Sequence, residues 1–194
     1  MGRSEAVNRG TSEPGASRLA AYESLVAAWA PRFDLVAPSD LPRFRERHID
    51  DCLRLLPLLD SVEAGTAVDV GSGAGLPGMV LALVRPDREW HLLEPRQKRA
   101  AFLEEIVREL DLTNVEVLPL TAEAAAREEW LATSHVFAAA RALAAPQQSL
   151  DLLVPLLTKG GTAAIFLGKT APMPLDAEEW EPGIAIWNRA RRSR

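Results

Sequence analysis

The chain has 194 residues, a net charge of −5, 47% hydrophobic and 25% charged residues, and one cysteine. That is enough chain for one sizeable α/β domain with its own core. It excludes a disulfide framework and a Cys-based zinc cluster, a helix of the roughly 20 apolar residues that span a bilayer, and a general nucleic-acid coat, though not a locally basic face.

The first 17 residues, "MGRSEAVNRGTSEPGAS", are poor in apolar side chains and read as a disordered tail. They lack the apolar core of a secretory signal, so a cytoplasmic protein is expected. Residues 18–62 read as a helical cap. Leu19, Tyr22, Leu25, Val26 and Trp29 recur at helical spacing, with Ser17 as N-cap and Pro31 as the stop. A second helix is expected over "SDLPRFRERHIDDCLRLLPLL", begun near Ser39 or Asp40.

From residue 63 to the end the pattern alternates. "TAVDV", "EWHLLE", "VEVLPL" and "HVFAAA" read as strands. "PGMVLALVRP", "PRQKRAAFLEEIVRELDL", "AEAAAREEWL" and "PQQSLDLLVPLL" read as helices between and after them. "KGG" is expected as a tight turn into the strand "TAAIFLG", and "IAIWNRA" as a possible last strand. The order implies a single Rossmann-like α/β domain with a doubly wound, mostly parallel sheet.

In such a sheet the ligand lies beyond the carboxyl ends of the strands. "VDVGSGAGLPG" sits at one of these ends and carries Asp69, Gly71, Gly73, Gly75 and Gly78. The spacing Gly73, Gly75, Gly78 fits a dinucleotide loop. The spacing Asp69, Gly71, Gly73, Gly75 fits the loop of methyltransferases that bind S-adenosylmethionine. Pro77 removes one N–H donor that a pyrophosphate needs. Asp69 places a carboxylate that repels phosphate and suits a cationic sulfonium. The chemistry therefore favours the methyl donor. An NAD-dependent oxidoreductase and a methyltransferase with another substrate remain alternatives. Glu94 ends the second strand, where an acid accepts hydrogen bonds from ribose hydroxyls. Ala122 and Glu123 follow the third strand, on the adenine side; read alone, Glu123 is an acid at a helix N-terminus.

"RERHIDD", "VDVGSGAGLPG", "LLEPRQKRAAFL" and "ARALAAPQQSLDLLVPLLTKGG" stand in that order. Together they resemble the RsmG/GidB family, bacterial class I methyltransferases that act on N7 of a guanine in 16S ribosomal RNA. The resemblance runs from about Trp29 to Lys169. It implies S-adenosylmethionine as cofactor, 16S rRNA or the small ribosomal subunit as partner, and guanine 527 as the family's target. It implies donor-loop roles for Gly71 and Leu76, and the adenine pair at Ala122 and Glu123. Arg141 falls beside donor and target base, as a positioning residue with no general base assigned. Arg47 with His48, and Lys98 with Arg99, match two RNA-side pairs. A monomer without metal or membrane attachment is expected.

N7 of guanine is an exposed lone-pair acceptor and needs no deprotonation, so catalysis rests on positioning and electrostatics. The Asn/Asp-Pro-Pro-aromatic motif of amine methylation is missing after the fourth strand, where "AARALAAP" stands. Cys52, the cysteine a C5 mechanism would need, lies in the cap and reads as a core residue. RNA phosphates are expected at Arg43, Arg45, Arg47 and His48, at Arg96, Lys98 and Arg99, and at a basic tail of Arg189, Arg191, Arg192 and Arg194. Each cluster also reads as an ordinary solvated face, and Arg47 and His48 as structural ties from cap to sheet. His91 and His135 lie in strands without metal partners. Asp34 and the order Gly168-Lys169 depart from the family pattern, which puts a role for Lys169 in doubt.

Overall fold

A computed structural model describes residues 13–33 and 35–189. Residues 1–12 of the expected tail, Asp34, and Arg191, Arg192 and Arg194 lie outside the described residues.

Helix α1 spans Glu13–Phe33. It begins upstream of the Ser17 cap expected, and it runs through Pro31. The far end is explained by its buried stripe: Leu19, Tyr22, Val26 and Ala30 face the core, and Phe33 extends that packing by a tilted ring contact with Trp29, centroids 5.2 Å apart. A proline in a last turn removes one donor, and the packed stripe offsets that loss.

The second cap helix is broken into pieces. Pro38–Arg43 is a 3-10 turn, Arg45–Ile49 a π turn, α2 spans Asp50–Leu53, and α3 spans Leu56–Ser61. Pro42 and Pro57 each lack the N–H that a continuous helix needs. The chain absorbs this by tightening to i+3 bonds at Arg54 and Leu55 and by widening to a π turn over "RERHI". Single π turns inside helical runs recur at functional sites.

Strand β1 (Ala67–Val70), α4 (Gly78–Val84), β2 (Trp90–Leu93), α5 (Gln97–Glu109), β3 (Val115–Leu118) and α6 (Ala122–Ala125) follow. Then come β4 (His135–Arg141), α7 (Pro146–Leu153), β5 (Leu157–Phe166), β6 (Glu178–Glu181) and β7 (Ile184–Asn188). The sheet order is β3-β2-β1-β4-β5-β7-β6. β1 to β5 are parallel. β7 runs antiparallel against β5, and β6 against β7.

Three expectations are corrected. The helix after β3 stops at Ala125, because Glu128, Glu129 and Trp130 are exposed and offer no apolar stripe to bury. "KGG" is not a turn before β5; it lies within it. Gly160 takes φ +91° there, and the register skips between His135↔Leu157 and Phe137↔Thr162, as a bulge requires. The sequence reading also had no β6.

Ala67 joins the core under α1, α4 and α5, whereas Val68 and Val70 join the core under α6 and α7. Alternation along one strand thus feeds both faces. The strand order reverses between β1 and β4, so the crevice for a ligand opens at their carboxyl ends.

Candidate active site

The glycine loop joins β1 to α4 at that crevice. Gly71, Gly73 and Gly75 adopt φ of +74°, +57° and +99°, a region that L side chains avoid. The loop folds on itself and on its strand neighbours. Gly71 and Ser72 donate to the Leu93 carbonyl at 2.8 and 3.1 Å, and Gly75 and Leu76 to Ser72 at 2.6 and 3.0 Å. Gly73 donates to Glu94 at 2.9 Å and Gly78 to Asp69 at 2.9 Å. From above, the Tyr22 hydroxyl donates to the buried Ala74 carbonyl at 2.7 Å. These amides are spent within the protein, and Pro77 has none. A pyrophosphate finds no row of open donors here, which weighs against the dinucleotide reading.

A side chain at Gly73 would meet nothing closer than the Gly71 carbonyl at 3.8 Å and Arg99 at 4.0 Å. The loop is therefore open at Gly73 and closed elsewhere. At Gly71 an added Cβ would strike Leu143 at 2.7 Å, so the segment after β4 presses on the loop. Leu76 is 9% exposed and helps fill the core beneath.

Asp69 was expected to face the ligand; the structure turns it inward. It is fully buried, and its Oδ2 holds the Gly78 amide. Its Oδ1 is buried without a hydrogen bond. Burial pushes its carboxyl up to about 7, against the opposing bond from the Gly78 amide. Asp69 is thus a brace for the loop. Glu94 is also buried, and its oxygens accept from the amides of Gly73 and Arg96, both at 2.9 Å. A carboxylate has further lone pairs, so it can anchor a ribose while it holds the loop. Ala122 is buried and Glu123 exposed. Thr121 caps α6 through the Ala124 amide at 3.2 Å. Glu123 is held below the usual carboxylate range by its own backbone amide and the Thr121 hydroxyl.

Arg141 ends β4, but its guanidinium turns to the cap. It donates to the carbonyls of Arg47 and His48 at 3.2 and 3.5 Å, and meets His48 Nδ1 at 3.0 Å. It lies 3.4 Å from Asp51 Oδ2 and 5.5 Å above the Phe166 ring. His48 Nε2 lies 3.3 Å from Asp40. Burial and the neighbouring Arg141 hold His48 below its ordinary value, and its Nδ1 faces the Arg141 donor. Arg47 pairs with Asp40 and stays half exposed. These bonds are the tie from cap to sheet that the sequence offered as one reading of Arg47 and His48, with Arg141 as the partner it did not name. The sequence reading missed Tyr22, Asp51 and Leu143; for Asp51 the signal was present, since an acid three residues after His48 shares its helical face.

The Cys52 thiol lies 3.6 Å from Arg141, is buried, and is pushed up to about 12 by that burial. It is no nucleophile. Arg96 and Lys98 are exposed and Arg99 half buried at the start of α5. With Phe33 and Gln97 they line a groove of about 340 Å³. Three further basic residues are engaged within the chain: Arg43 with Glu46, Arg45 with Glu23, and Arg189 with the carbonyls of Val154 and Leu157. His91 and His135 bond each other at 2.9 Å. Among the described residues no helix is long and apolar enough to cross a membrane.

The pattern of the family described as GidB, rRNA small subunit methyltransferase G, matches residues 16–182. A ribosomal RNA small subunit methyltransferase G from Granulibacter bethesdensis is 41% identical over 179 residues, covering 91% of this chain and 80% of the relative. One from Paracoccus denitrificans is 38% identical over 152 residues, 78% of this chain and 76% of the relative. Among solved structures, a SAM-dependent methyltransferase from Aquifex aeolicus superposes with a TM-score of 0.55 at 18% identity, covering 80% of this chain and 94% of that one. A Corynebacterium glutamicum protein superposes at 0.59 and 15% identity, covering 88% and 90%. These two show the shared fold.

Proposed function

The chain belongs to the rRNA small subunit methyltransferase G family, and from that membership we propose that it transfers a methyl group from S-adenosylmethionine to N7 of one guanine in 16S rRNA. Guanine 527 is the target the family implies. The observation that carries the reading is the glycine loop: its amides are consumed internally, it opens at Gly73, and Glu94 lies beneath it. That donor set fits an uncharged ribose and a sulfonium, and not a pyrophosphate.

When bound, the cofactor would supply an electrophilic methyl on a sulfonium able to leave as a neutral thioether, and guanine N7 would offer the lone pair for it. The residues of this chain position and exclude. Gly71, Gly73, Gly75 and Leu76 shape the donor loop, Asp69 braces it, and Glu94 takes the ribose. Ala122 and Glu123 border the adenine. No proton leaves N7, so no base is required, and orientation supplies the acceleration. Arg141 fixes the segment Arg47–Cys52 over the crevice. Arg47, Arg96, Lys98 and Arg99 meet RNA phosphates or bases, with Phe33 as an apolar wall, while His48 stays on Arg141 and Asp40. We place the protein in the cytoplasm with the ribosome, as a single-domain monomer that needs no metal.

The test is transfer of labelled methyl to small subunits lacking the modification, with the product nucleoside identified. The expected product is 7-methylguanosine, lost in Gly71→Asp and Arg141→Ala variants. Binding of S-adenosylhomocysteine with no methylated RNA would overturn the substrate and leave the donor site standing; binding of NAD would favour the oxidoreductase reading.

A further inference from the structure

We propose that Asp51 and Arg54 are positioning residues through which the C-terminal hairpin holds Arg141 in place. The proposal rests on the function proposed above, in which Arg141 orders the acceptor side of the crevice.

The two carboxylate oxygens of Asp51 are divided between two arginines. Oδ1 accepts from Arg54 Nη1 at 2.9 Å, and Oδ2 lies 3.4 Å from Arg141 Nη2. Arg54 spends its other donors on the hairpin between β6 and β7. Its Nε donates to Glu181 at 2.8 Å and its Nη2 to the Pro182 carbonyl at 2.7 Å. The hairpin then returns to Arg141 by a second route. Ile184 pairs with Phe166 across β7 and β5, Phe166 pairs with Arg141 across β5 and β4, and the Phe166 ring lies under the guanidinium. The contacts close a ring from Arg141 through Asp51, Arg54, Glu181, Ile184 and Phe166 back to Arg141.

Three of these charged side chains are well shielded: Arg141, Asp51 and Arg54 are 19%, 29% and 29% exposed. Shielded ion pairs hold geometry where exposed ones do not. Arg54 uses one planar fork on three acceptors in three directions, which a lysine cannot reproduce. One carboxylate between two guanidiniums also fixes which way each fork faces. Without Asp51, Arg141 keeps its charge but loses the anion that aims it.

The experiment introduces Asp51→Asn and Arg54→Lys into the full chain and into its Arg141→Lys variant. Single-turnover methyl transfer to unmodified small subunits is followed at saturating S-adenosylmethionine. The expected result is a slowing of about tenfold or more in the wild-type background and less than about twofold beside Arg141→Lys, because the relay then has nothing left to aim. Affinity for S-adenosylhomocysteine is expected to stay within about threefold. The imidazole ¹⁵N spectrum gives an independent reading, since the chain has three histidines. Arg141 bonds His48 Nδ1, so the His48 resonances shift in both variants, while those of the His91–His135 pair stay and report an intact fold. An unmoved His48, or equal slowing in both backgrounds, overturns the proposal. If the wild-type protein methylates no RNA, the proposed function fails and the His48 shift alone decides the relay. If Asp51→Asn also disturbs His91 and His135, Arg54→Lys decides it.

Discussion

Asp69 and Gly78 are joined across the whole glycine loop: the buried carboxylate Oδ2 of the first accepts the backbone amide of the second at 2.9 Å. The bond ties the end of β1 to the start of α4, so the loop between them has a fixed span. A Cβ added at Gly78 would lie 2.5 Å from Asp69 Cβ and 2.6 Å from Leu92 Cδ2. Gly78→Ala is therefore expected to lower stability by about 1–3 kcal/mol through overpacking. Urea denaturation measures it, and S-adenosylhomocysteine titration is expected to show weaker binding in the same variant.

Gly71 differs in kind. Its obstacle is the tip of a flexible side chain, Leu143 Cδ1 at 2.7 Å, together with φ of +74°. Gly71→Ala is expected to weaken S-adenosylhomocysteine binding about tenfold or more. Adding Leu143→Ala restores the space but not the backbone preference, which keeps about 1–2 kcal/mol of strain. Calorimetry on the pair is expected to show partial recovery; full recovery would mean that crowding alone matters.

Tyr22 reaches from α1 to the Ala74 carbonyl at 2.7 Å in a fully buried place. Tyr22→Phe leaves that carbonyl without its donor, at an expected cost of about 1–3 kcal/mol. Thermal unfolding of variant and parent checks it. An unchanged midpoint would show that the cap does not support the loop.

Two buried groups oppose each other in pH dependence. Burial raises Asp69 to about 7 from its ordinary 3.8, so between those values the folded chain holds a proton that the unfolded chain has released. Its contribution is fully present below about pH 4 and is lost as pH rises to about 7. Burial lowers His135 to about 4 from 6.5, and its contribution is lost as pH falls through that window. Each slope reaches about 1.4 kcal/mol per pH unit at most, and the signs are opposite. Relative to the parent, Asp69→Asn is expected to gain stability as pH rises from 4 to 7. His135→Gln is expected to gain as pH falls from 6.5 to 4. Denaturant titrations across pH test both; parallel curves for parent and variants would refute the assignment.

Much of the sheet was legible in the sequence because its signals are local. Short β-rich runs, glycines past "VDV" and helical spacing in "QKRAAFLEEIVRE" each depend on neighbours in the chain. The breaks in the second cap helix were less so. Pro42 and Pro57 announce them, but the π turn over Arg45–Ile49 is held from far along the chain, by the Arg141 bonds to the Arg47 and His48 carbonyls. The antiparallel β6 went unseen because "EEWE" carries little apolar signal, and it forms by pairing with β7. For the candidate site, side-chain orientation was not readable. Asp69 and Glu94 were both expected to face a ligand; both are buried, with their oxygens on loop amides.

The sequence by itself determined the parallel sheet and the glycine loop at its switch point. These follow from periodicity and from backbone conformations that only glycine adopts with ease. The tertiary structure alone decided which way the charges face. Arg141 and Asp51, 90 residues apart by their numbers, meet at 3.4 Å because β4 ends beneath the cap. A long-range ion pair leaves no periodic trace in the chain; it exists only where packing brings two segments together and removes water from between them.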